Sequence, residues 1–351
     1  MRIIEHFDNA VRFYPGNIAF VDVGSGDPGL TYAEAQPVTQ RIAGALDHNG
    51  YSRGSHVGVL APNCATAFLA LLGLFRAECV WLPINPRNTV PVNADLLERF
   101  DGELLLFHSA YADQARQLQA QSLRIRELIC IDGDCGVGIS IEVWSAGAPD
   151  NFDSKGGDID ETFAIFPTGG TTGKSKGVIL THLNIHTLFS NFYSHFNYHD
   201  GTCHLMVAPM THTAGITGCM HFARGGCNAI MSSTQPEEIV QAMEEYRVTH
   251  LFLPPTVLYM LLALPDIRQR DYSALRHFLV GAAPTSLEKL KQAIDVFGPV
   301  MTEAFGQSEA PASITAKAPW DYCDAAGNIL DGRLHSIGRP CVFNTVAILD
   351  D

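Results

Sequence analysis

Short, uninterrupted apolar runs of strand length recur along this chain, most of them followed by a stretch with helical periodicity. The runs fall at residues 57–60, 80–84, 104–107, 128–131, 163–166, 178–180, 205–208, 229–231, 250–253 and 278–280. Helical stretches fall at 65–77, 91–100, 112–122, 214–222, 237–246, 256–264 and 286–297. Strands that are apolar on both faces must be covered on both faces. Strand-helix alternation therefore predicts an α/β fold with parallel sheets flanked by helices. Asn63 is placed to cap the helix at 65–77. Residues 133–157 are rich in Gly, Asp and Ser and read as loop. From 318 to 335 the chain again reads as loop, and 342–349 as a further strand. The predicted organisation is a first α/β subdomain over 1–160 and a second over 161–317. The start of a small antiparallel, barrel-like β subdomain follows over 318–351.

Composition excludes several classes. With 46% hydrophobic and 17% charged residues the chain has ample material for a large core and does not read as disordered. Its net charge of −14 disfavours nucleic acid and anionic membrane surfaces, which reward a basic face. Nine cysteines without a C-x-x-C pair read as reduced thiols, so a cytoplasmic location is expected. The apolar stretch at 65–75 is closed by Arg76 and Glu78 and is too short to span a bilayer; it reads as a buried helix. His182 and His186 stand at i, i+4, a metal-ligand spacing, but no carboxylate completes an H-E-x-x-H pattern.

Residues 167–177 read P-T-G-G-T-T-G-K-S-K-G between two strand-like runs. Glycines let backbone N–H groups converge on an anion, the threonines add hydroxyls, and Lys174 and Lys176 add positive charge. Such a loop suits a polyphosphate. It is not a P-loop: the first glycine of G-x-x-x-x-G-K-[ST] would fall at Thr168, and an apolar β-branched run follows where a helix N-terminus is needed.

The loop resembles the phosphate-binding motif [YF]-T-S-G-T-T-G-x-P-K-G of the adenylate-forming (ANL) superfamily, which includes acyl- and aryl-CoA synthetases, peptide-synthetase adenylation domains and beetle luciferases. Pro167, Gly169 and Ser175 depart from that motif. Further resemblances follow in the family's order. Phe305-Gly306-Gln307-Ser308-Glu309 is similar to Y-G-x-T-E, Gly281-Ala282-Ala283-Pro284 to G-[GA]-A-P, and Pro209 to Gly215 to P-L-F-H-x-x-G. Ser336 to Pro340 resembles the opening of the third subdomain, and Trp81 to Arg87 an N-terminal segment assigned here to core support.

The resemblance implies the large N-terminal domain of that superfamily, with two parallel-rich sheets. It implies an AMP-forming ligase that activates a carboxylic acid with ATP and passes the acyl group to coenzyme A. A carrier-protein adenylation domain, a luciferase-like oxygenase and a non-catalytic nucleotide-binding module are the alternatives. The nucleotide would be held by Thr168, Gly169, Gly170, Thr171, Thr172, Gly173 and Lys176 at its β- and γ-phosphates. Gly281, Ala282, Ala283, Pro284 and Phe305, with Gly306, would bracket adenine. Ser308 would meet the α-phosphate and Glu309 would hold Mg²⁺; Lys176, Ser308 and Glu309 are the implied catalytic residues. His212 and Ala304 would line the acid pocket, together with 213–219 and 280–282. Those linings are small and apolar, matching an aliphatic or aromatic tail. The family's T-G-D motif, hinge, C-terminal domain and catalytic lysine are not in the sequence, which reads as the N-terminal portion of a longer synthetase.

Overall fold

The computed structural model describes residues 1–351 apart from 153, 155, 169–174, 197, 325–327 and 350–351. Two mixed sheets form among the described residues. The strands are β1 (Ile18–Asp22), β2 (Leu30–Thr31), β3 (His56–Leu60), β4 (Val80–Pro83), β5 (Leu104–Phe107), β6 (Glu127–Cys130), β7 (Ile139–Ser140) and β8 (Thr162–Pro167). They continue as β9 (Gly177–Thr181), β10 (Cys203–Met206), β11 (Cys227–Ile230), β12 (His250–Leu253), β13 (His277–Val280), β14 (Met301–Gln307), β15 (Ala310–Lys317) and β16 (Arg339–Pro340). A seven-stranded sheet has the order β7-β6-β5-β3-β4-β8-β9, and a nine-stranded sheet the order β16-β15-β14-β13-β12-β10-β11-β1-β2. Both are parallel in their centres and antiparallel toward an edge: β8–β9 in the first, and β1–β2, β14–β15 and β15–β16 in the second.

Strands β1 and β2 thus join the sheet built by residues 203–340, while β8 and β9 close the sheet built by residues 56–140. Sheet membership alternates along the chain, whereas the sequence divides it in order at 160 and 317. The helix Ala65–Arg76 is buried on nearly every face, as a helix apolar all round must be. Its core cluster includes Val57 and Trp81 of one sheet and Phe20 and Met206 of the other. At its end the almost fully buried Arg76 donates to both oxygens of Asp8 and to Thr39, which keeps the charge paired inside the fold. Among the described residues no helix is long and apolar enough to cross a membrane.

Two expectations are corrected. The stretch 342–349 is not a strand; it pairs with no described strand, and its apolar residues Val342, Phe343, Ile348 and Leu349 are exposed. Asn63 does not cap the following helix. The amide of Ala65 donates instead to Asp22 Oδ1 at 2.8 Å, so the cap comes from the neighbouring β1.

Candidate active site

A cavity of about 400 Å³ opens between the two sheets. Its floor is one face of the nine-stranded sheet near the carboxyl ends of β10, β12, β13 and β14, the place where open α/β sheets bind ligands. The pleat decides which residues reach it, since side chains two apart share a face. Ala304 and Gly306 of β14, Leu279 and Gly281 of β13, and Phe252 and Pro254 of β12 all line the cavity. Phe166 of β8, Leu180 of β9 and Asn85 just after β4 close it from the seven-stranded sheet.

Of the residues singled out from the sequence, the structure brings His212, Gly281, Ala282, Ala304, Gly306 and Ser308 to this one cavity. Gly281 has little space: a Cβ there would stand 3.2 Å from the Ala304 carbonyl oxygen. Ala282 has φ +69°, a left-handed conformation that costs a non-glycine residue about 1–2 kcal/mol and is held by the turn after β13. Ala283 and Pro284 are exposed beyond it. Phe305 points away from the cavity on the other face of β14 and is 44% exposed. Glu309 is exposed in the turn joining β14 to β15. His212 precedes the helix Thr213–Met220, with its ring edge-on to Phe166 at 6.1 Å. Partial desolvation lowers its pKa.

Gly169, Gly170, Thr171, Thr172 and Gly173 lie outside the described residues, as does Lys174. The neck of their loop is described. The Thr168 amide donates to the Lys176 carbonyl at 2.8 Å, and the Lys176 amide to Thr168 Oγ1 at 3.1 Å. Ser175, which stands where the superfamily motif has proline, donates its hydroxyl to the Thr168 carbonyl at 2.6 Å. Its own carbonyl accepts from Arg99. The departure at 175 therefore helps close the loop, and the Lys176 side chain stays exposed.

The sequence profile of AMP-binding enzymes matches residues 7–351. The chain belongs to the AMP-binding enzyme family. It is 36% identical over 192 residues to a medium/long-chain-fatty-acid–CoA ligase of Mycobacterium tuberculosis, covering 55% of this chain and 32% of that protein. It is 27% identical over 299 residues to a feruloyl-CoA synthase of Amycolatopsis, covering 83% and 57%. The chain thus spans about a third to somewhat over half of these relatives. Two solved structures share the fold. The inhibitor-bound N-terminal domain of FACL13 from Mycobacterium tuberculosis has a TM-score of 0.85 at 21% identity, with 97% of this chain and 83% of that one covered. The anthranilate–CoA ligase AuaEII with anthranoyl-AMP has a TM-score of 0.86 at 16% identity, with 97% and 65% covered.

Several site residues escaped the sequence reading. Asn85, assigned there to core support, faces the cavity. Asn63 donates to the carbonyls of Val207, Ala208 and Met231 at 3.0–3.2 Å and accepts from the Met210 amide at 2.8 Å. It thereby fixes the segment that carries His212. An asparagine two residues before a helix reads locally as a cap, so this long-range role left no local signal. Strand β15 and the extension of β14 to Gln307 were also missed. They carry Pro311 and Ala312 to the cavity wall.

Proposed function

We propose that this chain binds ATP and a carboxylic acid and joins them as an acyl-adenylate, the first half of an acid–CoA ligase reaction in the cytoplasm. The observation that carries this is the cavity itself. It is apolar inside, and at one end it meets Gly281 from one adenylate-type motif and Gly306 and Ser308 from another. A carboxylate cannot acylate a thiol directly, because its oxygen is a poor leaving group. In the proposed step a carboxylate oxygen attacks the α-phosphorus of ATP, the bond to the bridging oxygen breaks, and pyrophosphate leaves with both electrons. The protein's part is positioning and neutralising charge.

In this reading Thr168, Lys176 and the loop 169–173 hold the β- and γ-phosphates, and Ser308 donates to the α-phosphate. Ala282 to Pro284, exposed after β13, form one side of the adenine slot, and the exposed ring of Phe305 is the aromatic face offered to the base. His212 and Ala304 face the acid. Mg²⁺ needs few protein ligands when phosphates supply the rest, so the exposed carboxylate of Glu309 fits it. Bound there, the ion would offset phosphate charge. Attack by the coenzyme A thiol on the adenylate carbonyl, expelling AMP, would complete the reaction. Relatives named as fatty-acid–CoA ligase and feruloyl-CoA synthase support that acceptor.

The test is calorimetric titration of the 351-residue chain with a nonhydrolysable acyl-sulfamoyl adenosine. Saturable binding is expected, weakened about tenfold by Ser308→Ala through loss of one hydrogen bond to charge. Absence of binding, or indifference to Ser308→Ala, would refute the assignment.

A further inference from the structure

Following the cavity floor down the strands, two residues at a time, exposes an unexpected third row. The first row holds Gly281 and Gly306, and the second Phe252, Leu279 and Ala304. The third holds His204 of β10, His250 of β12, His277 of β13 and Thr302 of β14. His204 is in register with His250, and His250 with His277, so three imidazoles stand side by side across three adjacent parallel strands. All are buried. With a rise of about 3.3 Å per residue, this row lies roughly 13 Å below the first. It borders a side cavity of about 30 Å³, room for about one water-sized group. Thr217, Phe252 and Leu279 line both this space and the larger cavity, so the two share part of a wall.

We propose that this row reads an uncharged hydrogen-bonding oxygen, a hydroxyl or carbonyl, at the end of the acid remote from its carboxylate. The inference rests on the acid-activation reading above. Its main support is an unsatisfied donor or acceptor. His250 is 5% exposed, its Nδ1 pairs with Thr249 Oγ1 at 2.8 Å, and its Nε2 has no partner. Asn228, fully buried beside His204, also has an unpartnered Nδ2. Buried polar atoms are normally paired, so the orphaned His250 Nε2, beside a small space that shares wall residues with the ligand cavity, is a place for a ligand atom. The Thr217 hydroxyl donates to the Ala214 carbonyl at 3.0 Å and keeps acceptor capacity at the dividing wall.

The rings do not suit a metal. His204 and His221 stack at 4.7 Å and 10°, which sets faces together and not nitrogens around a point. No group of three metal-ligating side chains is poised for an ion among the described residues. Nor do they suit a carboxylate. Burial, reinforced by neighbouring imidazoles, pushes His250 and His221 well down, and burial takes His204 to about 4. They are neutral and offer no charge to pair with. A long unbranched alkyl tail would find apolar walls at this depth in Phe192, Phe196 and Met220, but it would leave Nε2 of His250 unsatisfied.

The experiment titrates the full chain with acyl-sulfamoyl adenosines whose tails have equal length and end in hydroxyl, ketone, methyl or carboxylate. Hydroxyl- or ketone-ended tails should bind about tenfold more tightly than the methyl-ended one. His250→Phe should bring that ratio close to one, while His250→Gln keeps it. Thr217→Val, which preserves the shape of the wall, should also shrink the ratio and serves if His250→Phe fails to fold. Equal or tighter binding of the methyl-ended tail by the unaltered protein overturns the proposal, as does preference for the carboxylate. Should no analogue bind, whatever its tail, the activation reading itself fails and this one falls with it.

Discussion

At Gly306 and Gly281 one hydrogen atom per residue decides how closely two backbones approach. A Cβ on Gly306 would stand 2.2 Å from the Ala312 amide nitrogen and 2.8 Å from the Ala310 carbonyl oxygen. Both are backbone atoms of the facing strand, so the β14–β15 hairpin would have to open. Gly306→Ala should therefore lower unfolding free energy by about 1–3 kcal/mol, as overpacking does, seen as a shifted urea midpoint. At Gly281 the nearest atoms would be 3.2 and 3.5 Å away, which slight relaxation accommodates. Gly281→Ala should cost under about 1 kcal/mol of stability but weaken binding of an acyl-adenylate analogue, because the methyl group projects into the cavity. If Gly281→Ala unfolds the protein while Gly306→Ala is silent, this account of the two glycines is wrong.

Asn63 shows how elements that form for local reasons are locked together by a residue with no local role. It follows β3 in one sheet, yet three of its hydrogen bonds reach carbonyls just beyond β10 and β11 in the other, and a fourth holds Met210. Asn63→Ala leaves those groups without their partner and should cost about 2–3 kcal/mol, read by denaturant titration. It should also loosen the His212 segment and reduce affinity for acid analogues. Asn63→Asp keeps the acceptor for Met210 but loses the donors, so it should lower stability too. Stability unchanged in both variants would contradict this role. The same residue marks the limit of the sequence. Central strands such as β5 and β12 were legible because burial on both faces demands continuous apolar runs. Gly281, Gly306 and Ser308 were legible because motifs place them at or near strand ends. Asn63 was not, since the cap of its helix comes from Asp22, more than forty residues away in sequence. Residues 342–349 have the composition of a strand but pair with no described strand. The row of His204, His250 and His277 was not legible either. A single histidine opening an apolar strand looks like ordinary core, and only the parallel register sets three of them in line.

Across the whole molecule these histidines make the fold sensitive to acid, and the sign follows from their burial. His6, His182 and His204 are pushed down to about 4, and His221 and His250 well below the usual imidazole value, chiefly because burial penalises the charged ring. In the unfolded chain each would titrate near 6.5. Below that pH the unfolded state binds more protons than the folded one, so stability must fall as pH falls from about 6.5 toward 4. Glu78 acts in a lower window. Burial raises its pKa, but hydrogen bonds from Ser154, Arg53 and Arg2 outweigh this and hold the carboxyl below its usual value. Its contribution is present above about 4.5 and is lost as pH drops through the folded value. Each histidine can contribute up to about 1.4 kcal/mol per pH unit below 6.5. Five together rival the roughly 5–15 kcal/mol that holds a typical fold. Urea midpoints measured from pH 8 to pH 5 should therefore stay level down to about 7 and then fall steeply, with unfolding before pH 5. His6→Phe, which keeps a ring against Phe189, should reduce the steepness by about one proton. A stability profile that stays flat to pH 5 would mean that these rings are not held neutral by burial.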